Sequence, residues 1–319
     1  MFEVVLKEIH KASTIIIHRH KAPDGDAIGS QIGLMHLLLD NFPHKTIRVV
    51  GEPARRFDFI AGKGMDIVND SEYEKALAII LDCGDAALIS DDRYKLAKRT
   101  VRLDHHIFCS QIADVEVIDT SYESCAGIVT EFAIECNLKV SSKAATALFT
   151  GIVTDSGRFR FDSTTSDTYR RVSFLLRTEV DTNYVYQNLY VTDFETLKRK
   201  AKLIMKIRFT GNKVAYYYVS KEELEDLGVN AHSAVRGYVN TMSDLMGVRI
   251  WVAFTENPET GNVECELRSS DLNINPIAVK YGGGGHEKAS GAIVPDKDTA
   301  MAMLDDLDKL LELKPELQI

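Results

Sequence analysis

Four short apolar runs in the first half of the chain, and one helical stretch, each lead straight into aspartate or histidine. Thr14 to His18 is followed by Arg19-His20-Lys21-Ala22-Pro23-Asp24-Gly25-Asp26, and Ala76 to Leu81 by Asp82-Cys83-Gly84-Asp85. Thr100 to Leu103 leads into Asp104-His105-His106, Val115 to Ile118 into Asp119, and the helical pattern from Ser141 into Thr154-Asp155-Ser156-Gly157. Apolar runs of this length, separated by helical periodicity, predict buried strands of an α/β domain with a largely parallel sheet. In such a sheet the carboxyl ends of the strands form one edge, where ligands bind. The polar chemistry of the first half is therefore expected to collect at one place.

Thr46 to Val50 completes the strand set. Ile28, Ile32, Met35 and Leu39 recur at helical spacing and predict a helix starting near Asp26, with further helices over Ser124 to Glu135 and Ser141 to Thr154. Residues 181 to 206 read as helical and charge-rich, without Pro or Gly, and suggest a connecting element. From Lys213 the pattern turns to β-rich runs, Val214 to Val219, Arg249 to Thr255 and Asn262 to Arg268, closing with a helix over Asp298 to Leu313. The division that follows is a catalytic domain over 1–185, a helical linker over 186–212 and a smaller α+β domain over 213–319.

Pro23 and Gly25 favour a turn, so that His20, Asp24 and Asp26 converge. Unpaired acids at a sheet edge repel one another without a cation. Carboxylate and imidazole donors without thiolates suit Mn²⁺, Fe²⁺ or Mg²⁺ better than structural zinc, and the donors outnumber what one ion needs. Two ions sharing a carboxylate would use them and suit in-line attack on phosphorus. A lone Asp after a strand is more often a cap or turn former, which is the reading for Asp85 and Asp119. His18, on an apolar strand, reads as a core histidine. The five cysteines form no CxxC pair and read as reduced, buried fillers.

In the second half, Arg268-Ser269-Ser270 and Gly282-Gly283-Gly284-Gly285-His286 combine close backbone approach with charge-assisted donors for a phosphate. With 38 Lys+Arg against 47 Asp+Glu, the net charge of −9 argues against coating long duplex nucleic acid. Short phosphorylated substrates stay open. No run approaches the roughly 18 apolar residues of a membrane span, and the N-terminus lacks a signal-peptide pattern, so a cytoplasmic protein is expected.

The segments His20-Lys21-Ala22-Pro23-Asp24-Gly25-Asp26-Ala27, Asp82, Asp104-His105-His106 and Asp155-Ser156-Gly157 resemble, in order and spacing, the four motifs of the DHH phosphoesterases. Gly283-Gly284-Gly285-His286 resembles the signature of the DHHA1 substrate-binding domain. The chain is most similar to the stand-alone, NrnA-type members, bifunctional oligoribonucleases and 3′-phosphoadenosine 5′-phosphate (pAp) phosphatases. The resemblance implies that His20, Asp24 and Asp82 bind one Mn²⁺ and that Asp26, Asp82, His105 and Asp155 bind the other. Asp104 would orient His105, and His106 would face the scissile phosphate. Arg268, Ser269, Gly283, Gly284, Gly285 and His286 would hold the substrate's other phosphate or terminal nucleotide. Ser156, where relatives often carry Thr, and the charged pair Glu287-Lys288 depart from the pattern. Implied substrates are pAp, dinucleotides and short RNA, hydrolysed by metal-activated water, with a homodimer open. The alternatives at this point are a phosphodiesterase for linear dinucleotides of cyclic di-AMP turnover, a RecJ-like exonuclease, a family II pyrophosphatase and a nucleotide-binding sensor.

Overall fold

Leu77–Leu81 is buried at every position, the pattern of a central strand covered on both faces. In the computed structural model it is β3 of a five-stranded parallel sheet ordered β2-β1-β3-β4-β5, with β1 Thr14–His18, β2 Thr46–Val49, β4 Arg99–Asp104 and β5 Val115–Ile118. The structure describes residues 2–62, 64–229 and 237–313. The chain divides into two compact units, Met1–Val191 and Thr192–Ile319. Among the described residues no helix is long and apolar enough to cross a membrane.

Helices cover the first sheet: α1 Glu3–Lys11, α2 Gly25–Asn41, the single turns α3 Asp58–Ala61 and α4 Asp70–Tyr73, α5 Cys125–Glu135, α6 Ser142–Asp155, α7 Ser166–Leu176 and α8 Thr182–Tyr190. Ile15, Ile17, Ile79 and Leu103 from the sheet and Ile28, Ile32, Leu148 and Ile152 from the helices share one core. Each such side chain, fully buried, contributes about 1.5–3 kcal/mol. Helix α2 lies against α6 closely enough that a Cβ on Gly29 would sit 2.6 Å from the Ala147 carbonyl oxygen and 2.7 Å from the Gly151 nitrogen. Only glycine fits there.

Helix α2 begins one residue before the expected start because Asp24, not Asp26, is the cap. Its Oδ1 accepts from the N–H groups of Asp26 and Ala27, both at 3.0 Å. Residues 181 to 206, which read as one helical stretch, form two helices. Val191 is extended after α8, and the Asp193 carboxylate accepts from Thr196 N to cap α9, Phe194–Met205. A capping carboxylate thus breaks the helix where no Pro or Gly stands.

The second unit holds a six-stranded sheet ordered β10-β11-β9-β8-β7-β6. Its strands are β6 Arg208–Phe209, β7 Ala215–Val219, β8 Ile250–Glu256, β9 Val263–Ser269, β10 Gly284–His286 and β11 Ala289–Val294, with only β7 and β8 parallel. Helices α10 Lys221–Leu227, α11 Asn275–Lys280 and α12 Lys297–Leu313 accompany it. Residues 186–212 are shared between the units, and Leu203 of α9 is buried with Tyr217 and Trp251 in the second. All five cysteines are free, but Cys109 is exposed and Cys136 half-buried, so only Cys83, Cys125 and Cys265 are the buried fillers expected from the sequence.

Candidate metal centre and active site

In the order β2-β1-β3-β4-β5 the chain reverses direction of travel between β1 and β3, so the segments leaving these strands diverge and open a crevice at their carboxyl ends. His20 follows β1, Asp82 follows β3, and Asp104 ends β4 with His105 and His106 directly after it. Two of the turns use left-handed backbone at residues with a Cβ, Ala22 (φ 47°) and Asp82 (φ 55°). Such conformations are costly outside glycine and concentrate where a site dictates them.

The donors form three overlapping groups: His20, Asp24 and Asp82; Asp82, His105 and His106; and Asp26, His105 and Asp155. In each, the ligand atoms lie within 4.8 Å of one another. His20 Nε2 is 3.4 Å from Asp82 Oδ2 and 3.8 Å from Asp24 Oδ1. His105 Nε2 is 3.5 Å from Asp82 Oδ1, 3.4 Å from Asp155 Oδ2 and 3.9 Å from Asp26 Oδ2. Both imidazoles are aimed by their other nitrogen. His20 Nδ1 lies 2.7 Å from the Lys21 carbonyl and His105 Nδ1 3.3 Å from the Tyr122 carbonyl. A carbonyl only accepts, so Nδ1 carries the proton and Nε2 faces the acids. Asp26 is fixed by α5, its Oδ2 and Oδ1 accepting from Cys125 N (2.7 Å) and Ala126 N (2.9 Å).

The electrostatics are those of a cation site. Burial, with the charges of Asp82 and Asp155 added, pushes the Asp26 carboxyl well above the usual range. Burial and the charges of Asp82 and Asp24 likewise raise Asp155 to about 7 against the pull of His105. Burial alone would lower His20 and raise Asp82. The carboxylates of Asp24 and Asp82 outweigh it at His20, raising that pKa to about 10, and the imidazoles of His105 and His20 hold Asp82 low. At His105 burial is outweighed by the Asp82 carboxylate, 3.5 Å away, and by Asp26 and Asp155, which raise its pKa to about 10. Asp82 Oδ1, fully buried, still has no hydrogen-bond partner. Four crowded carboxylates, two aimed imidazoles and an orphaned buried oxygen fit a divalent cation, which would supply the charge the imidazoles only partly provide.

Asp104 does not orient His105. Its Oδ1 is 2.8 Å from His106 Nδ1, and its Oδ2 accepts from Arg102 Nη2 at 2.6 Å. The reason is alternation at the end of β4: the side chain two residues on returns to the same side, while His105 turns toward Tyr122. Burial would raise Asp104, but His106 and Arg102 hold it below the usual range, and Asp104 in turn raises His106. His18 stays in the core. It is fully buried against Tyr73 and Tyr94, and burial pushes its pKa down to about 4, so the ring is neutral. Asp85 and Asp119 are turn formers, accepting from Ala87 N and Ser121 N.

Three contributors went unread in the sequence. Arg102 is fully buried behind Asp104, and a basic residue inside an apolar run, which needs a buried partner, was the available signal. The Tyr122 carbonyl has none, since every residue owns one. Arg19, also fully buried, donates to Gln31 Oε1 (2.9 Å) and to the carbonyls of Glu52 and His20, steadying the segment that carries His20.

In the second unit, His286, Ala289 and Arg268 lie directly opposite one another across β10, β11 and β9, so their side chains share a face. Arg268 pairs there with Glu266 at 2.8 Å. Ser269, one residue on, faces the other way, and its buried hydroxyl donates to the Leu272 carbonyl. It is therefore not presented with Arg268. The glycine run is not an open loop: Gly284–His286 is the edge strand β10. At Gly283 the close approach is to β11 itself, where a Cβ would lie 2.1 Å from the Gly291 carbonyl oxygen.

Two family models match the chain, the DHH family N-terminal domain over residues 14–152 and the DHHA1 domain over residues 211–313. The chain is 34% identical over 309 residues to the bifunctional oligoribonuclease and PAP phosphatase NrnA of Bacillus subtilis, covering 96% of this chain and 97% of that protein. It is 32% identical over 308 residues to the Mycoplasma genitalium protein of the same name, covering 95% and 96%. The crystal structure of an exopolyphosphatase-related protein from Bacteroides fragilis matches with a TM-score of 0.86 over 97% of this chain and 96% of that one. At 23% identity this is a likeness of fold.

Proposed function

Given that the chain belongs to the DHH family of phosphoesterases and carries a DHHA1 domain, we propose that it hydrolyses short oligoribonucleotides to mononucleotides and pAp to AMP, using two divalent ions, Mn²⁺ by preference. The observation that carries this reading is the sharing of Asp82 between donor groups, with His20 and Asp24 on one side and His105 on the other. His20, Asp24 and Asp82 would hold one ion, and Asp26, Asp82, His105 and Asp155 the second. Such ions, when bound, lower the pKa of a water and neutralise charge building on phosphoryl oxygens.

The chain's own groups do the rest. Asp104, kept ionised by Arg102, holds the His106 proton on Nδ1. When the ring is protonated, Nε2 is the end that donates to a phosphoryl or leaving oxygen. Asp26 and the two aimed histidines are fixed before substrate arrives, so little reorganisation accompanies reaction. In the second unit Arg268 and His286, on one sheet face, supply the donors for a phosphate that is not cleaved. The main chain of Gly284 and Gly285 at the same edge joins them.

The test is product analysis on metal-stripped protein, with and without Mn²⁺, given pAp, the dinucleotide pApA, a short RNA oligomer and pyrophosphate in parallel. Mn²⁺-dependent release of AMP and mononucleotides with pyrophosphate untouched is expected. Turnover of pyrophosphate alone would overturn the reading. Asp82→Ala should lower turnover by about 10³-fold, the scale of removing preorganised charge stabilisation, and a variant retaining a tenth of wild-type activity would defeat the shared-ligand assignment.

A further inference from the structure

Against the His20–Asp26 turn lies a cavity of about 650 Å³, within the range of ligand pockets and built wholly by the first unit. Asp24 borders it, so whatever occupies it lies next to the proposed metal centre. Its other walls include Arg55, Arg56, Phe57, Thr154 and Tyr190.

Arg55 is exposed, and its guanidinium makes no hydrogen bond or ion pair among the described residues. Arg56 donates to the Leu189 carbonyl at 3.3 Å and lies 5.7 Å from the Phe57 ring, and no carboxylate pairs with it among the described residues. The guanidinium of Arg158 covers the Tyr190 ring at 4.9 Å. Arg158 and Phe159 hold left-handed backbone, each at φ 63°, directly after Asp155 and Gly157. The acids of the cavity are Asp24, proposed as an ion ligand, and Glu52, whose carbonyl is taken by Arg19. With Asp24 committed to a cation, two arginines face one carboxylate. Unneutralised guanidinium forks recognise phosphate, and an aromatic ring with a neighbouring arginine stacks a nucleobase without reading its identity. In a chain with a net charge of −9 such a local excess of cations is where a polyanion can be held.

We propose that this cavity, resting on the phosphoesterase reading above, is a nucleotide subsite for the nucleoside that a dinucleotide or longer RNA carries on the far side of the scissile phosphate and that pAp lacks. Arg55 and Arg56 bind the ribose of that nucleoside and, in a longer oligomer, the phosphate beyond it, and Tyr190 stacks its base. The cavity is thus a length sensor: pAp leaves it empty and oligonucleotides fill it.

The experiment compares steady-state kinetics of wild type, Arg55→Ala, Arg55→Lys and Tyr190→Leu on pAp and pApA with Mn²⁺. Arg55→Ala removes no side-chain hydrogen bond or ion pair among the described residues. Its KM for pApA should rise about tenfold, the scale of a lost hydrogen bond to a charged group, with kcat and the constants for pAp unchanged and partial recovery in Arg55→Lys. Equal losses on both substrates, or no change on either, would overturn the subsite. If wild type turns over neither compound, the phosphoesterase reading falls by itself. Equilibrium binding of 2-aminopurine-labelled pApA to wild type and Arg55→Ala then decides the cavity, with equal affinities overturning it.

Discussion

Asp91 shows how one carboxylate's surroundings set a pH limit on the fold. Burial would raise its pKa, but Arg93, at 2.6 Å, and the Tyr73 hydroxyl, at 3.1 Å, outweigh burial and hold it below the usual carboxylate range. A depressed folded-state pKa means the unfolded chain takes up the proton first. The stabilisation is therefore whole above the unfolded value, about 3.9, and is lost as pH falls through the folded one. Asp91→Asn should lower stability at neutral pH by about 1–2 kcal/mol and flatten the acid limb of the urea midpoint against pH; an unchanged acid limb would remove Asp91 from its causes. At this scale the sequence was informative wherever the donors came in local clusters. His20 and Asp24, in one local cluster, meet at Asp82 as their spacing suggested, whereas Asp26 from the same cluster joins His105 and Asp155 instead. The partner of Asp104 was not legible, since choosing between His105 and His106 depends on the pleat at the end of β4. Ser269 was lost for the same reason, a single-residue alternation between faces.

The contact of α2 with α6 decides where Asp155 stands, because α6 delivers that residue at its last position. Gly29→Ala should gain about 1 kcal/mol of helix propensity, yet the added methyl meets main-chain atoms of Ala147 and Gly151 that cannot rotate away. Overpacking of this kind costs about 1–3 kcal/mol. Both a lower urea midpoint and a lower kcat/KM are expected, the second because α6 shifts with its ligand. Wild-type kinetics in Gly29→Ala would show that Asp155 is positioned by something else. Strands were the most readable elements: each first-half run recurs within a residue of its expected bounds, since an uninterrupted apolar stretch has few alternatives to burial. The break between α8 and α9 was not readable, because Asp193 looks like any polar helix residue until its carboxylate is seen on Thr196 N.

All six proposed ion ligands, His20, Asp24, Asp26, Asp82, His105 and Asp155, belong to the first of the two units. Ion binding should therefore stabilise that unit selectively, by about 2.7 kcal/mol when free ion is a hundredfold above its Kd. Hydrogen-exchange mass spectrometry with and without Mn²⁺ should show added protection across 14–155 and none across 211–313. Uniform protection would place an ion elsewhere. The existence of two units was visible in the change of periodicity near Lys213. The strand order β2-β1-β3-β4-β5 was not written locally, for nothing in a strand's own residues says which neighbour it pairs with. That order nevertheless turns separate motifs into one centre.

Asp26 and Asp82 would look alike in a survey of inactive variants, but they should differ in how much protein a cell retains. The Asp26 carboxylate satisfies two buried main-chain N–H groups at the start of α5, so its loss leaves donors unpaired at about 1–3 kcal/mol each. Asp82 Oδ1 satisfies none. Inheritance of a damaged Asp26 would then present as scarcity of the chain, subject to proteolytic clearance, whereas a damaged Asp82 would leave an abundant, inert one able to compete with a functional copy for the same substrate.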